Sequence, residues 1–457
     1  MRLLKTSLLV VLSFAVMSVQ AANWNKSKAA DIKITSDREP VQIVDIEGAQ
    51  GQLCSVPSTF QRAFQFRGFK YPDQDFPAWT PNRDDEAMQM VWSAQALMVQ
   101  SLDPQQRDED QIKQWISKFV AALEKGNYSK ISYTKPKAKY VFEGGKGSPD
   151  PTYGINIGLL NVAMLVSVID GLDLWEAGQR EVVVEWGNKA YPLGLRNSRN
   201  MSLKNQWIDN RTLGAVAHVA WGLVSGSKEI LDSGIKLYES GIGIIKADGE
   251  FNYILKIAQR AWRVDQAFRE DDKSVGLLVL AAHFAKQAGI DLYSKTNKKG
   301  QTIHDAVSWI LRAHFTPEQT NQKRKLLKQK RIGSGLAPRH WAWTVVYVKD
   351  FGDTPVGKQL LEKSDQYFPR GGYWHHESMG PISCLFDRRD LGEDRYLKKY
   401  ESQKDLGKAP EKILDFSVST TEICAKAMVE WKSEPGQWAE VAESRGLSAE
   451  SCKLFFK

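Results

Sequence analysis

Asn210 and Arg211 stand side by side in "NQWIDNRTLG", at the head of a run with helical periodicity. An amide beside a guanidinium at a helix start can hold a carboxylate. The helix end adds free N–H groups and partial positive charge. Asp209 is a good N-cap for such a helix. His218 follows Arg211 by seven residues, two turns along nearly the same face. A second group stands in "DGEFNYILKIAQRAWRVDQ", where Tyr253, Lys256, Arg260 and Arg263 recur at spacings of three, four and three. That spacing puts a phenol and three cations on one helical stripe. A third group is "PRHWAWTVVY", with His340, Trp341 and Trp343. A fourth is "RGGYWHHESMG", with Arg370, Tyr373 and two adjacent histidines, His375 and His376. Trp and Tyr beside Arg suit sugar rings that bear carboxylates, because aromatic faces stack on pyranose C–H groups.

Other chemistries find less support. The HExxH pattern is absent, and adjacent histidines point different ways on regular backbone, so no metal and no cofactor is expected. There is no GxSxG elbow and no phosphate loop. Paired carboxylates for glycoside hydrolysis stay open, since Asp and Glu are plentiful.

These groups must be positioned by helices. Apolar residues recur at three- and four-residue spacing over 84–103, 109–124, 155–175, 178–190, 209–225, 227–246, 252–267, 272–289, 302–313, 340–349 and 354–366. Strand-like alternation is scarce. The expected fold is all-α: consecutive antiparallel helix pairs stacked into an incomplete (α/α) toroid with a central groove. Two long loops, 128–154 and 316–338, interrupt the pattern, and the second holds the basic run "NQKRKLLKQKRIGSG".

The first 21 residues read as a secretory signal peptide: a basic head, an apolar core and small residues before a cut after Ala21. Residues 22–80 read as an irregular amino-terminal segment and 81–457 as the helical domain. The expected address is periplasmic or secreted, without stable membrane insertion. The net charge is +8, two of it from Arg2 and Lys5 in the leader. This favours an acidic partner, an anionic polysaccharide, a membrane surface or nucleic acid, with nucleic acid the least expected of these at an exported address. Four cysteines, Cys54, Cys384, Cys424 and Cys452, allow three connectivities; Cys424–Cys452 with Cys54–Cys384 is the first choice.

Over roughly 200–350 the sequence resembles the alginate lyase family of helical-toroid polysaccharide lyases. "DNRTLGAVAHVAWGLVSGSKEILDSGIKLYESGIGIIKADGEF" is similar to the family segment in which an Asn-His pair opens a helix and a DxxGF-type turn follows a second helix. "LKIAQRAWRVDQ" is similar to its Arg-rich helix, and "LCSVPSTF" and "HWAWTVVY" are similar to further family pieces. The resemblance implies export, an (α/α) toroid and β-elimination on an acidic glycan. It implies that Asn210 holds the substrate carboxylate and that Arg260 matches a family Arg. Arg211 stands where the family has its catalytic His, and Val264 where it has its catalytic Tyr.

β-Elimination removes the C5 proton of a uronate, which requires neutralising the carboxylate as enolate-like charge builds. Asn210, Arg211 and Arg260 are suited to that role. Tyr253 is the first choice of base, its pKa lowered from about 10 by neighbouring cations. His340, His218 and Tyr373 are alternatives. Lys256, Arg263, Trp341, Trp343 and Arg370 complete the expected binding surface. The expectation is a secreted lyase of an alginate-like or glucuronan-like chain. The alternative is a non-catalytic glycan-binding or export factor on the same fold.

Overall fold

A computed structural model describes residues 36–50, 84–102, 108–126, 151–200, 208–251, 264–316, 341–367 and 379–386. Its helices are α1 (Ile46–Gln50), α2 (Asp84–Leu102), α3 (Glu109–Glu124), α4 (Pro151–Leu172), α5 (Gln179–Asn200), α6 (Ile208–Ser225), α7 (Lys228–Ile242), α8 (Val264–Gln287), α9 (Ile303–Phe315), α10 (Thr344–Phe351), α11 (Pro355–Tyr367) and α12 (Ile382–Phe386). No β-strand occurs among the described residues. The signal peptide, the cysteine pairings and most of 22–80 lie outside them.

The helices form two layers. In the inner layer α2 packs on α4, α4 on α6, α6 on α8, and α8 on α10. Each is followed by an outer helix: α3, α5, α7, α9 and α11. Inner neighbours run parallel. Met90 reaches Gly158 and Gln95 bonds Asn161 at 2.8 Å, so both indices climb together along α2 and α4. Inner and outer partners run antiparallel, as Gly222 against Leu231 and Gly234 against Val219 show for α6 and α7. This is the expected incomplete toroid.

The pattern of burial explains the layering. Amphipathic outer helices bury one stripe: α7 buries Ile230, Leu231, Leu237, Tyr238 and Ile242. The inner helix α4 is apolar nearly all round, as a helix enclosed on every side must be. Gly154–Leu172 in α4 is long and apolar enough to cross a membrane, with a mean hydropathy of 1.8, and 83% of it is buried among its neighbours. Two expected boundaries shift. α5 runs on past 190 and through Pro192, because Tyr191, Leu193 and Leu195 stay buried there and packing outweighs the lost backbone bond. α8 begins at Val264 and does not break before 272; the charged run "REDDK" is continuous helix.

The carboxyl-terminal ends of the inner helices are covered. Residues 36–45 form a strap across those of α4 and α6, within the stretch expected to be irregular. Asp37 and Arg38 donate their N–H groups to the Gly226 carbonyl, and Val41 to that of Leu223. Ile43 and Val44 donate to the Ser167 hydroxyl at 3.0 and 2.9 Å. Carbonyls left over at the end of α6 are thus satisfied. At the end of α8, the Asp350 carboxylate accepts from His283 Nδ1 at 2.8 Å, Lys286 Nζ at 2.9 Å and Tyr293 Oη at 2.9 Å. Burial raises the Asp350 pKa, but the hydrogen bonds and charges of His283 and Lys286 outweigh it and hold it at about 2.

Two predictions follow from this packing. A Cβ at Gly222 would lie 2.4 Å from the Leu231 backbone nitrogen, which cannot yield. Gly222→Ala should therefore destabilise by about 2 kcal/mol, against a helix-propensity gain of about 1 kcal/mol; urea unfolding reads the difference. The Asp350 pKa lies below its ordinary 3.8. Its contribution is therefore present above about pH 4 and lost as pH falls towards 2. Asp350→Asn should cost about 3 kcal/mol at neutral pH, and less as the unfolding series is carried towards pH 2.

Candidate functional site

The amino-terminal ends of the inner helices lie on the side opposite the strap, and α8 extends ten residues beyond Ser274, to Val264. Their heights can be aligned. A Cβ at Gly241, in α7, would lie 3.0 Å from Leu278 of α8 and 3.5 Å from Thr212 of α6. Thr212 and Leu278 therefore share one level. Tyr238, one turn back in α7, reaches past the end of α8 to donate to the Leu292 carbonyl at 2.9 Å. α7 thus runs against α8 as it does against α6, and α6 and α8 are parallel. At 1.5 Å of rise per residue, Asn210 is level with Gly276, and Ser274 lies roughly 3 Å closer to the rim.

Asn210 and Ser274 point inward. Thr212 faces the outer helix α7, and Asn210, two residues back, is turned about 200° from it. Asp272 faces the outer helix α9, and Ser274, two residues on, is turned away by the same angle. Both inward groups are enclosed, Asn210 at 5% exposure and Ser274 at 0%. Asn210 Oδ1 and Ser274 Oγ have no hydrogen-bond partner among the described residues. Buried polar atoms are nearly always paired, and one left unpaired costs about 1–3 kcal/mol. Separated by about 3 Å in height on adjacent inner helices, the two can serve one polar ligand.

Arg211 is turned about 100° from Asn210. Its guanidinium donates to the Ser240 hydroxyl in the last turn of α7. The expected pair thus diverges: the amide is directed inward and the guanidinium is held at the junction of the two layers. Asp209 is the second residue of α6, not its cap. Tyr253, Lys256, Arg260, Arg263, His340, Arg370 and Tyr373 lie outside the described residues.

Three expected binding residues are core residues instead. His218 is 0% exposed and meets the Tyr191 ring edge-on at 5.0 Å. It sits two turns below the rim, where α6 is enclosed by α5 and α7. Trp341 and Trp343 are 0% and 1% exposed, with ring centroids 6.1 Å apart. Trp343 lies on Gly276, and Trp341 packs edge-on against His314 at 5.1 Å and Phe315 at 5.5 Å. Rings with no free face cannot stack on a sugar; they fill the space between α8, α9 and α10.

The structure also brings together residues that the sequence reading missed. His314 Nε2 lies 3.1 and 3.0 Å from the two Asp272 carboxylate oxygens, and both side chains are buried. Burial pushes the Asp272 carboxyl above its ordinary value, while the charge and hydrogen bond of His314 pull it back. Asp272 lies in the first half of α8 and His314 in the last turn of α9, 42 residues apart, so no local pattern in the sequence joins them.

Residues 136–320 match the family model described as alginate lyase. The likeness between this chain and the alginate lyases therefore holds over that stretch, which contains α4 to α9. No curated protein matches the chain. Among solved structures, alginate lyase A1-III from Sphingomonas species A1 is 15% identical, with a TM-score of 0.50 over 79% of this chain and 99% of that one. A form of the same enzyme with a tyrosine replaced by phenylalanine, complexed with tetrasaccharide, gives a TM-score of 0.50, 15% identity and the same coverage. A histidine-to-alanine apo form gives 0.50 and 14%, over 78% and 97%. At these identities the match carries the toroid fold.

If the Asn210 amide is unmet in the ligand-free protein, a leucine of similar volume should suit the site better. Asn210→Leu should stabilise the free protein by about 1 kcal/mol, read as a raised urea midpoint. A lowered midpoint would show that the amide is satisfied.

Proposed function

We propose that this chain is an exported polysaccharide lyase that cleaves a uronate-containing glycan, alginate-like or glucuronan-like, by β-elimination at the amino-terminal rim of the toroid. The observation that carries the reading is the pair of enclosed, unpartnered groups, Asn210 and Ser274, inside the stretch that matches the alginate lyase model. The match supplies the reaction class, and the rim supplies the means of holding an acid.

In this reading the sugar carboxylate accepts from Asn210 Nδ2 and the Ser274 hydroxyl, Asn210 Oδ1 takes a sugar hydroxyl, and the start of α6 turns its positive end towards them. Arg260 adds charge, and Arg211 adds it from the flank, where Ser240 holds it. Neutralising the carboxylate makes the C5 proton acidic enough to remove. Tyr253 takes that proton and returns one to the leaving glycosidic oxygen; His340 and Tyr373 are the reserve candidates. Lys256, Arg263 and Arg370 bind neighbouring acid groups. Export by the leader of residues 1–21 places the protein with such polymers.

A second reading is favoured by one observation. Arg211 and Val264 stand where the resembling family has its catalytic His and Tyr. A groove that kept its grip and lost its base would be a glycan-binding or export factor.

Purified protein incubated with polymannuronate, polyguluronate and glucuronan separates the two. Rising ultraviolet absorbance with unsaturated products by mass supports the lyase; binding without product supports the second reading. For a lyase, Asn210→Ala should lower kcat/KM by about 10²-fold or more, the scale of a lost electrostatic donor. A near-normal rate would remove Asn210 from the site.

A further inference from the structure

The Asp272–His314 pair lies between layers, behind the inward-facing Ser274. Its surroundings make it an odd choice for stability alone. Phe315, Trp341 and Trp343 pack around this joint, and apolar side chains would fill it as well. Taking two charges out of water costs much of what their attraction returns, so apolar replacements of a buried pair are often as stable. What apolar packing lacks is direction. Both carboxylate oxygens reach one imidazole nitrogen, at 3.0 and 3.1 Å. That contact is made at one rotation of α8 about its axis and at one height against α9. One turn on, the Trp343 ring lies on Gly276 and favours the same rotation. Because Ser274 is about 200° from Asp272, seating the pair is what turns Ser274 inward.

We propose that Asp272 and His314 are positioning residues for the rim site: their pair fixes the rotation and height of α8, and so aligns Ser274 with Asn210 for an acidic sugar chain. The inference rests on the reading of the rim as a uronate site. Neither residue touches the ligand. Both act through Ser274.

The test uses the full chain with oligomannuronate as the probe, binding read by calorimetry and cleavage by ultraviolet absorbance. The variant Asp272→Leu with His314→Phe removes the charges and keeps bulk. It should melt within a few degrees of the unaltered protein and bind about tenfold more weakly, with KM raised more than kcat is lowered. Ser274→Ala should weaken binding in the unaltered protein and add little in the double variant, since residues in one chain of action are not additive. Unchanged affinity in the double variant, or full additivity with Ser274→Ala, would overturn the proposal. If the double variant does not fold, Asp272→Asn and Asp272→Glu decide: partial recovery of affinity by Glu over Asn is expected, and equal, undiminished binding by both overturns it. Binding without cleavage by the unaltered protein would end the lyase reading and leave this one standing. Neither binding nor cleavage would end both.

Discussion

The structure depends on inner helices that run parallel and touch. Parallel neighbours bring like ends together: amino termini at one rim, carboxyl termini at the other. Each end carries roughly half a charge of fixed sign. Glycines at the crossings, such as Gly222 against the α7 backbone and Gly234 against the α6 backbone, let the layers approach closely enough to hold that arrangement. At the carboxyl-terminal rim the exposed carbonyls take donors from the strap. In the proposed function the amino-terminal ends face the acid groups of the glycan, so that the polarity of the fold and the proposed acid binding have one origin.

Most of the fold was legible because its signals are local and periodic. The 109–124 helix falls on its expected limits, with Asp108 as its cap. The alternation of long amphipathic segments with short turns gave the stacked pairs. What failed was a boundary. The expected helices 252–267 and 272–289 leave 268–271 between them, yet α8 is continuous there and Asp271 and Asp272 are enclosed. A partner 42 residues away, His314, makes burial tolerable for Asp272, and no local window contains it. Pro192 misleads in the same manner: the local penalty is real, and tertiary packing exceeds it.

The site was legible in part. Asn210 could be singled out from its place at a helix start. Ser274 could not, because a lone serine carries no signal until its level relative to Asn210 is known. Trp341, Trp343 and His218 drew attention by residue type, and type alone does not separate a sugar-stacking ring from a core ring. Exposure separates them, and exposure follows from which helices close over a position.

The strap has a consequence for the order of assembly. Its partners lie far along the chain: Val44 is 123 residues from Ser167, and Asp37 is 191 residues from Lys228. Synthesis makes the strap before the surfaces it covers. The earliest described segment to emerge is therefore among the last to find its place, waiting until α4 and α6 stand side by side. The ends of α4 and α6 are thus covered by a segment made before either of them.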